Sequence, residues 1–290
     1  MGLLSKIFGK ENVAERADEP DMVYVSNEDE KMTWAIEKAG LTLHYFEESL
    51  KNPSTHQDYF SVKVKIVDGD EVEHIWLTNP EFDQEGNLFG IVGNEPVNVR
   101  TVKLGQQIGV EKSLISDWMV VENGRLIGGY TIRAIRDDIH PDGRKEFDES
   151  IGLYVDEGVD HFKIDFNTPE GAILSYEQAF NEKDIEKAVS CKDFYQEARL
   201  MLMGTTDFQV DEETIRGTAE LLEDSFRVHM EKDGMPDFSD ITSAFPKREK
   251  ISEELWVITE ICTYPDGGYS EQRLSTYKTA DGWRILGLAE

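Results

Sequence analysis

The chain has 290 residues, with 59 Asp and Glu against 30 Lys and Arg, for a formal net charge of −29. That excess repels phosphate polymers and argues against nucleic-acid binding, and no run of eighteen or more apolar residues is present to cross a bilayer. A 39% hydrophobic and 10% aromatic content is enough for real cores, and the length suggests two domains.

The charge is uneven. Residues 1–30 carry −5, residues 31–136 only −4, residues 137–167 carry −7 and residues 168–290 carry −13. The acidity therefore belongs to a leader (1–27), a connector (137–167) and a second domain (168–290), around a nearly balanced first domain (28–136). Leu3, Leu4, Ile7 and Phe8 can form one apolar face, read as a docked or frayed leader rather than a membrane anchor. No secretory cleavage site follows, and Lys6 breaks the myristoylation pattern. Cys191 and Cys262 lack CxxC spacing and read as reduced core thiols, so a cytoplasmic protein is expected.

In chain order, Met32, Ile36, Ala39, Leu43, Phe46 and Leu50 predict a helix that Pro53 stops, with Gly40 a place for a kink or a break into two. The period then changes to two: Phe60, Val62, Val64 and Ile66 alternate with polar residues, and Asp68-Gly69-Asp70 turns the chain into a returning strand. Short strands are expected at Leu88–Val92, Thr101–Leu104, Trp118–Val121 and Ile127–Arg136. In the connector, Pro141-Asp142-Gly143 signals a turn, and Ile151–Val155 and His161–Phe166 could be strands closing either domain. Thr168-Pro169-Glu170 is a helix start, with Ala172, Tyr176, Ala179 and Phe180 on its buried face. Asp184 opens a second helix, Phe194–Met203 a third and Asp211–Lys232 a fourth. Three strands follow, Leu255–Tyr264, Tyr269–Thr279 and Trp283–Leu288, joined by Pro265-Asp266-Gly267-Gly268 and Ala280-Asp281-Gly282. The fold class is α+β: two domains, each helix plus antiparallel sheet.

Residues 28–136 resemble the bacterial domain-of-unknown-function 2314 family. The resemblance rests on Phe60…Val62-Lys63-Val64, Glu73-His74-Ile75-Trp76, Gly90-Ile91-Val92-Gly93-Asn94-Glu95-Pro96, Asp117-Trp118-Met119 and Gly129-Tyr130-Thr131-Ile132-Arg133. It implies a compact bacterial module and no particular chemistry. Residues 168–290 resemble the nuclear-transport-factor-2-like superfamily, through Pro169–Phe180, Asn181-Glu182-Lys183-Asp184 and Tyr277 to Ile285. That resemblance implies helices on a curved, cone-like sheet. The superfamily includes isomerases and dehydratases, and also non-catalytic binders such as immunity proteins.

No catalytic constellation stands out. The histidines (44, 56, 74, 140, 161 and 229) have no ligand spacing, so no metal or other cofactor is expected, and Gly86…Gly93 and Gly124…Gly129 read as turns rather than phosphate loops. Acid–base chemistry inside a cone would fall to Glu260 or His229; the latter reads as part of a solvated helix face. Trp76, Trp118 and Tyr130 read as packing, Asp117 and Arg133 as a structural ion pair or an exposed contact site, and Asn94 as part of a turn. The acidic residues Glu212, Glu213, Glu220, Glu223 and Asp224 read either as a charged helix face or as a surface that steers a basic partner. The expected function is a non-enzymatic, immunity-type binding protein that docks a basic protein through its second domain. The alternative is a small-molecule-binding or isomerase-like cone. Pairing of two copies through their sheets stays open.

Overall fold

The computed structural model describes residues 30–156, 158–205 and 210–289; the expected leader lies outside them. The chain divides into two compact units, with the break between His161 and Phe162.

The first unit opens with α1 (Glu30–Lys51), one uninterrupted helix through Gly40, burying Met32, Ala35, Ala39, Thr42 and Phe46 at helical spacing. Its antiparallel sheet comprises β1 (Gln57–Asp68), β2 (Glu71–Phe82), β3 (Leu88–Val92), β4 (Gln107–Val110), β5 (Ile115–Glu122) and β6 (Arg125–Gly128), in the order β4-β3-β2-β1-β5-β6. Both faces are covered, which is why β5 is buried from Ile115 to Val121 instead of alternating. Val62, Ile75, Leu77, Trp118 and Val120 form one core with α1. Trp76, Met119, Val121 and Leu126 form a second with Ile132, Ile151, Leu153 and Val155.

Three expectations fail here. The strand expected over Ile127–Arg136 ends at Gly128, and α2 (Tyr130–Asp138) follows. Gly128 and Gly129 both adopt left-handed φ (+68° and +61°), and a Cβ on Gly128 would lie 2.6 Å from Trp118, so only glycine fits this close reversal. Pro141-Asp142-Gly143 is the first turn of α3 (Pro141–Ile151), with proline at the first helical position, where its missing N–H costs nothing. Thr101–Leu104 is a loop rather than a strand. The preceding stretch is tied to the β1–β2 hairpin: the Glu73 carboxylate accepts from the amides of Val97, Asn98 and Val99, and Asp68 from that of Arg100. The expected connector thus contributes α3 and Ile151–Val155 to the first unit's second core.

The second unit holds α4 (Pro169–Asn181), α5 (Ile185–Ser190), α6 (Phe194–Thr205) and α7 (Glu212–Asp233), followed by β7 (Thr242–Lys250), β8 (Leu255–Thr263), β9 (Tyr269–Thr279) and β10 (Gly282–Leu288) in an antiparallel sheet ordered β10-β9-β8-β7. Local capping explains three helix starts: Thr168 Oγ1 accepts from Gly171 N, Asp184 from Lys187 N and Asp211 from Thr214 N. β8, β9 and β10 match the three predicted strands. The fourth, β7, was not predicted from the sequence. Its TSAFPKREK sequence lacks an apolar alternation. It holds as an edge strand, with a register shift between Ala244 and Lys247 around Pro246. No helix among the described residues is long and apolar enough to cross a membrane.

Candidate functional site

The family-motif residues of the first unit are engaged with its own frame. The Asp117 carboxylate accepts from the amides of Trp118, Tyr130 and Thr131 at 2.8, 3.1 and 2.8 Å and from Thr131 Oγ1 at 2.6 Å. It therefore caps α2 from across the sheet. Burial pushes its pKa up, opposed by those hydrogen bonds and by the Lys63 ammonium. Trp118 Nε1 donates to Ala39 O and Thr42 Oγ1, pinning α1. Asn94 Oδ1 accepts from the Trp76 amide, and the Trp76 ring is buried in the second core. Arg133 donates to the carbonyls of Leu126, Gly128 and Asp156. Asp117 and Arg133 are thus neither paired with each other nor exposed as a contact site.

One contact in this unit resembles catalytic machinery. His74 Nδ1 lies 2.7 Å from Ser116 Oγ, but the hydroxyl also donates to Lys63 O. When the hydroxyl donates to Lys63 O, the imidazole N–H is the donor to Oγ, the reverse of the polarity that activates a nucleophile. Burial, then Lys63 and Lys65, holds His74 down at about 4, so it is neutral.

The second unit buries three glutamates, Glu170, Glu177 and Glu260. On α4, Glu170, Ile173 and Glu177 follow helical spacing onto one face, and all three are buried. Glu170 makes a two-pronged ion pair with Arg248 of β7, at 2.5 and 2.8 Å. Glu177 meets Glu260 of β8 instead, and among the described residues no Lys, Arg or His pairs with either. Gln272 Nε2 donates to Glu260 Oε2 at 2.7 Å, and the Ser243 hydroxyl reaches Glu177. Glu177 Oε1 and Glu260 Oε1 are buried with no hydrogen-bond donor. Cys262, two residues along β8 on the same face, completes a group whose donor atoms lie within 4.8 Å of one another. Burial, and then Glu260, pushes Glu177 up to about 9. Burial and the two carboxyls push the Cys262 thiol up to about 12. Two carboxyls forced together in this way share a proton. Glu260 is an acid–base candidate in the sequence reading; Glu177 is not, although a glutamate seven residues from Glu170, on the Ile173 face, is a readable signal. Cys262 gave none beyond its position two residues after Glu260.

The acidic candidates lie on α7, and they separate by role. Glu212 accepts from Tyr195 Oη at 2.7 Å and pairs with Arg216, and Glu223 pairs with Arg227, which also binds Glu186. Glu213, Glu220 and Asp224 are exposed and form no ion pair among the described residues. At 100° per residue these three fall with Leu221 and Val228 in one stripe of about 100°. Leu221 is 70% exposed and Val228 60%. His229, the other acid–base candidate, is exposed on the same helix with Asp233 Oδ2 2.8 Å away.

A six-stranded sheet covered on both faces, carrying its motif residues as internal ties, defines the first unit as an α+β module. Residues 29–155 match the model of the family described as uncharacterized protein conserved in bacteria, domain of unknown function 2314, and the first unit belongs to it. A protein of Neisseria meningitidis serogroup B, named as an ankyrin repeat protein, is 31% identical over 193 residues, covering 64% of this chain and 72% of its own length. The uncharacterized protein YegJ of Escherichia coli K12 is 40% identical over 75 residues, 26% of this chain and 48% of its own. No solved structure matches.

Proposed function

We propose that this chain is a non-enzymatic, cytoplasmic binding protein that docks a basic protein partner through α7 of its second unit. The observation that carries this reading is the α7 stripe, in which two solvent-exposed apolar side chains lie among three acids without cations of their own. An apolar centre with a charged rim is the usual composition of a protein interface, and a rim of one sign selects a partner of the other. The basic residues Arg216 and Arg227 are drawn to intrachain acids, which leaves the stripe's field negative. An immunity-type role, with a basic toxin as partner, is the specific form suggested by the nuclear-transport-factor-2-like resemblance of residues 168–290.

The test is affinity capture from the host with the wild-type chain and with the Glu213→Lys, Glu220→Lys, Asp224→Lys triple variant. A basic protein held by the wild type, with affinity that falls as salt rises and at least about tenfold weaker for the variant, is the expected result. Equal capture by both chains, or salt-insensitive capture, overturns it. The second reading, an acid–base or small-molecule site inside the second unit, is favoured by the Glu177–Glu260 contact. Turnover or ligand binding lost in Glu260→Gln, with α7 variants unaffected, would select it.

A further inference from the structure

We propose that Glu177, Glu260 and Cys262 form a binding site for one divalent cation of borderline softness, with zinc the best fit. The local sequence builds most of it. Glu260 and Cys262 alternate on β8 and so face the same way, while the strand pairings set Gln272 opposite Glu260 and Ser243 opposite Cys262. Helix α4 supplies the third donor from above the sheet.

The two inward acids of α4 are treated differently. Glu170 receives a guanidinium in a two-pronged pair. Glu177, two turns further on, receives a second carboxyl and a thiol. A buried anionic group is stable only if paired, protonated or metal-bound, and apart from the proton that the two carboxyls share, the Oε1 atoms of Glu177 and Glu260 have no donor of the chain to serve them. The other oxygen of Glu260 is held by Gln272, an outer contact of the kind that orients a metal-binding carboxylate.

The donor set points to the ion. One thiolate and two carboxylates suit zinc better than calcium or magnesium, which avoid sulfur. Zinc bonds of about 2.0–2.3 Å draw donors to roughly 3.3–3.8 Å apart, a small contraction from the present limit of 4.8 Å. The Ser243 side chain or a water completes four-coordination. Binding releases the proton shared by the carboxyls and the thiol proton, so affinity rises with pH.

The experiment uses the full chain, stripped with chelator and titrated with Co²⁺ as a spectroscopic substitute, then with Zn²⁺. The expected result is one Co²⁺ per chain, a thiolate-to-cobalt charge-transfer band, and loss of that band on adding Zn²⁺. Cys262→Ser should abolish the band, and Glu177→Gln and Glu260→Gln should each weaken binding more than about tenfold. Cys191→Ser, altering the other thiol of the unit, should leave it intact. No band in the wild-type chain, a band that survives Cys262→Ser, or one that follows Cys191 overturns the proposal. In the first case the carboxyls hold a proton and nothing more.

Discussion

Four donors converge on the Asp117 carboxylate, three of them amides, and two of those amides open α2. Asp117→Ala would leave them buried and unserved. The expected loss is about 3 kcal/mol or more, read as a lower urea midpoint, with Asp117→Asn milder because one acceptor oxygen survives. His161 offers a pH test. Its ring stacks on Tyr45 at 3.5 Å, and burial holds its pKa down at about 4, below the unfolded 6.5. The unfolded chain then binds the extra proton first, so stability is full above pH 6.5 and falls as pH drops towards 4. His161→Phe keeps the stack and removes this contribution; its urea midpoint should gain on the wild type between pH 6.5 and 4. None of these roles was legible in sequence. In sequence Asp117 reads as an ion-pair partner or a contact site, because three of its four donors lie 13 and 14 residues ahead, on an element that reads as a strand.

Helix starts set by the chain's own neighbours were legible: Thr168, Asp184 and Asp211 each cap an amide three residues on. The β1–β2, β8–β9 and β9–β10 hairpin turns are legible for the same reason. α2 and β7 were not, because a carboxylate from β5 starts the one and pairing along β8 holds the other. The composition of β7 has its own logic. Proline and lysines on an edge strand interrupt the row of free amides and carbonyls that would recruit another strand. Pro246→Val should therefore raise self-association, measured by light scattering at increasing concentration, with little change in the helical circular dichroism of the monomer. The α7 acids were visible as residues, but their division was not. Which acids are left without a partner depends on Tyr195 and Glu186, contributed by α6 and α5.

Across the molecule, the −29 is not spread evenly. Residues 31–136 carry only −4, and residues 168–290 carry −13. The salt dependence expected of docking thus belongs to the second unit, and changing Lys63 or Lys65 of β1 should not affect it. The carboxyl–thiol group lay beyond sequence reading, since it needs a helix and a strand 83 residues apart to meet. The fold class was accessible because periodicity reports on each element alone. One more consequence follows from the second core of the first unit. Its far sheet face is roofed by residues 151–155, and Arg133 fastens that roof to β6 through the carbonyls of Leu126 and Asp156. A gene cut at the end of α2 would therefore yield a product with Trp76, Met119 and Leu126 stripped bare, destined for inclusion bodies. A cut ten residues past α3 would keep the lid on the box.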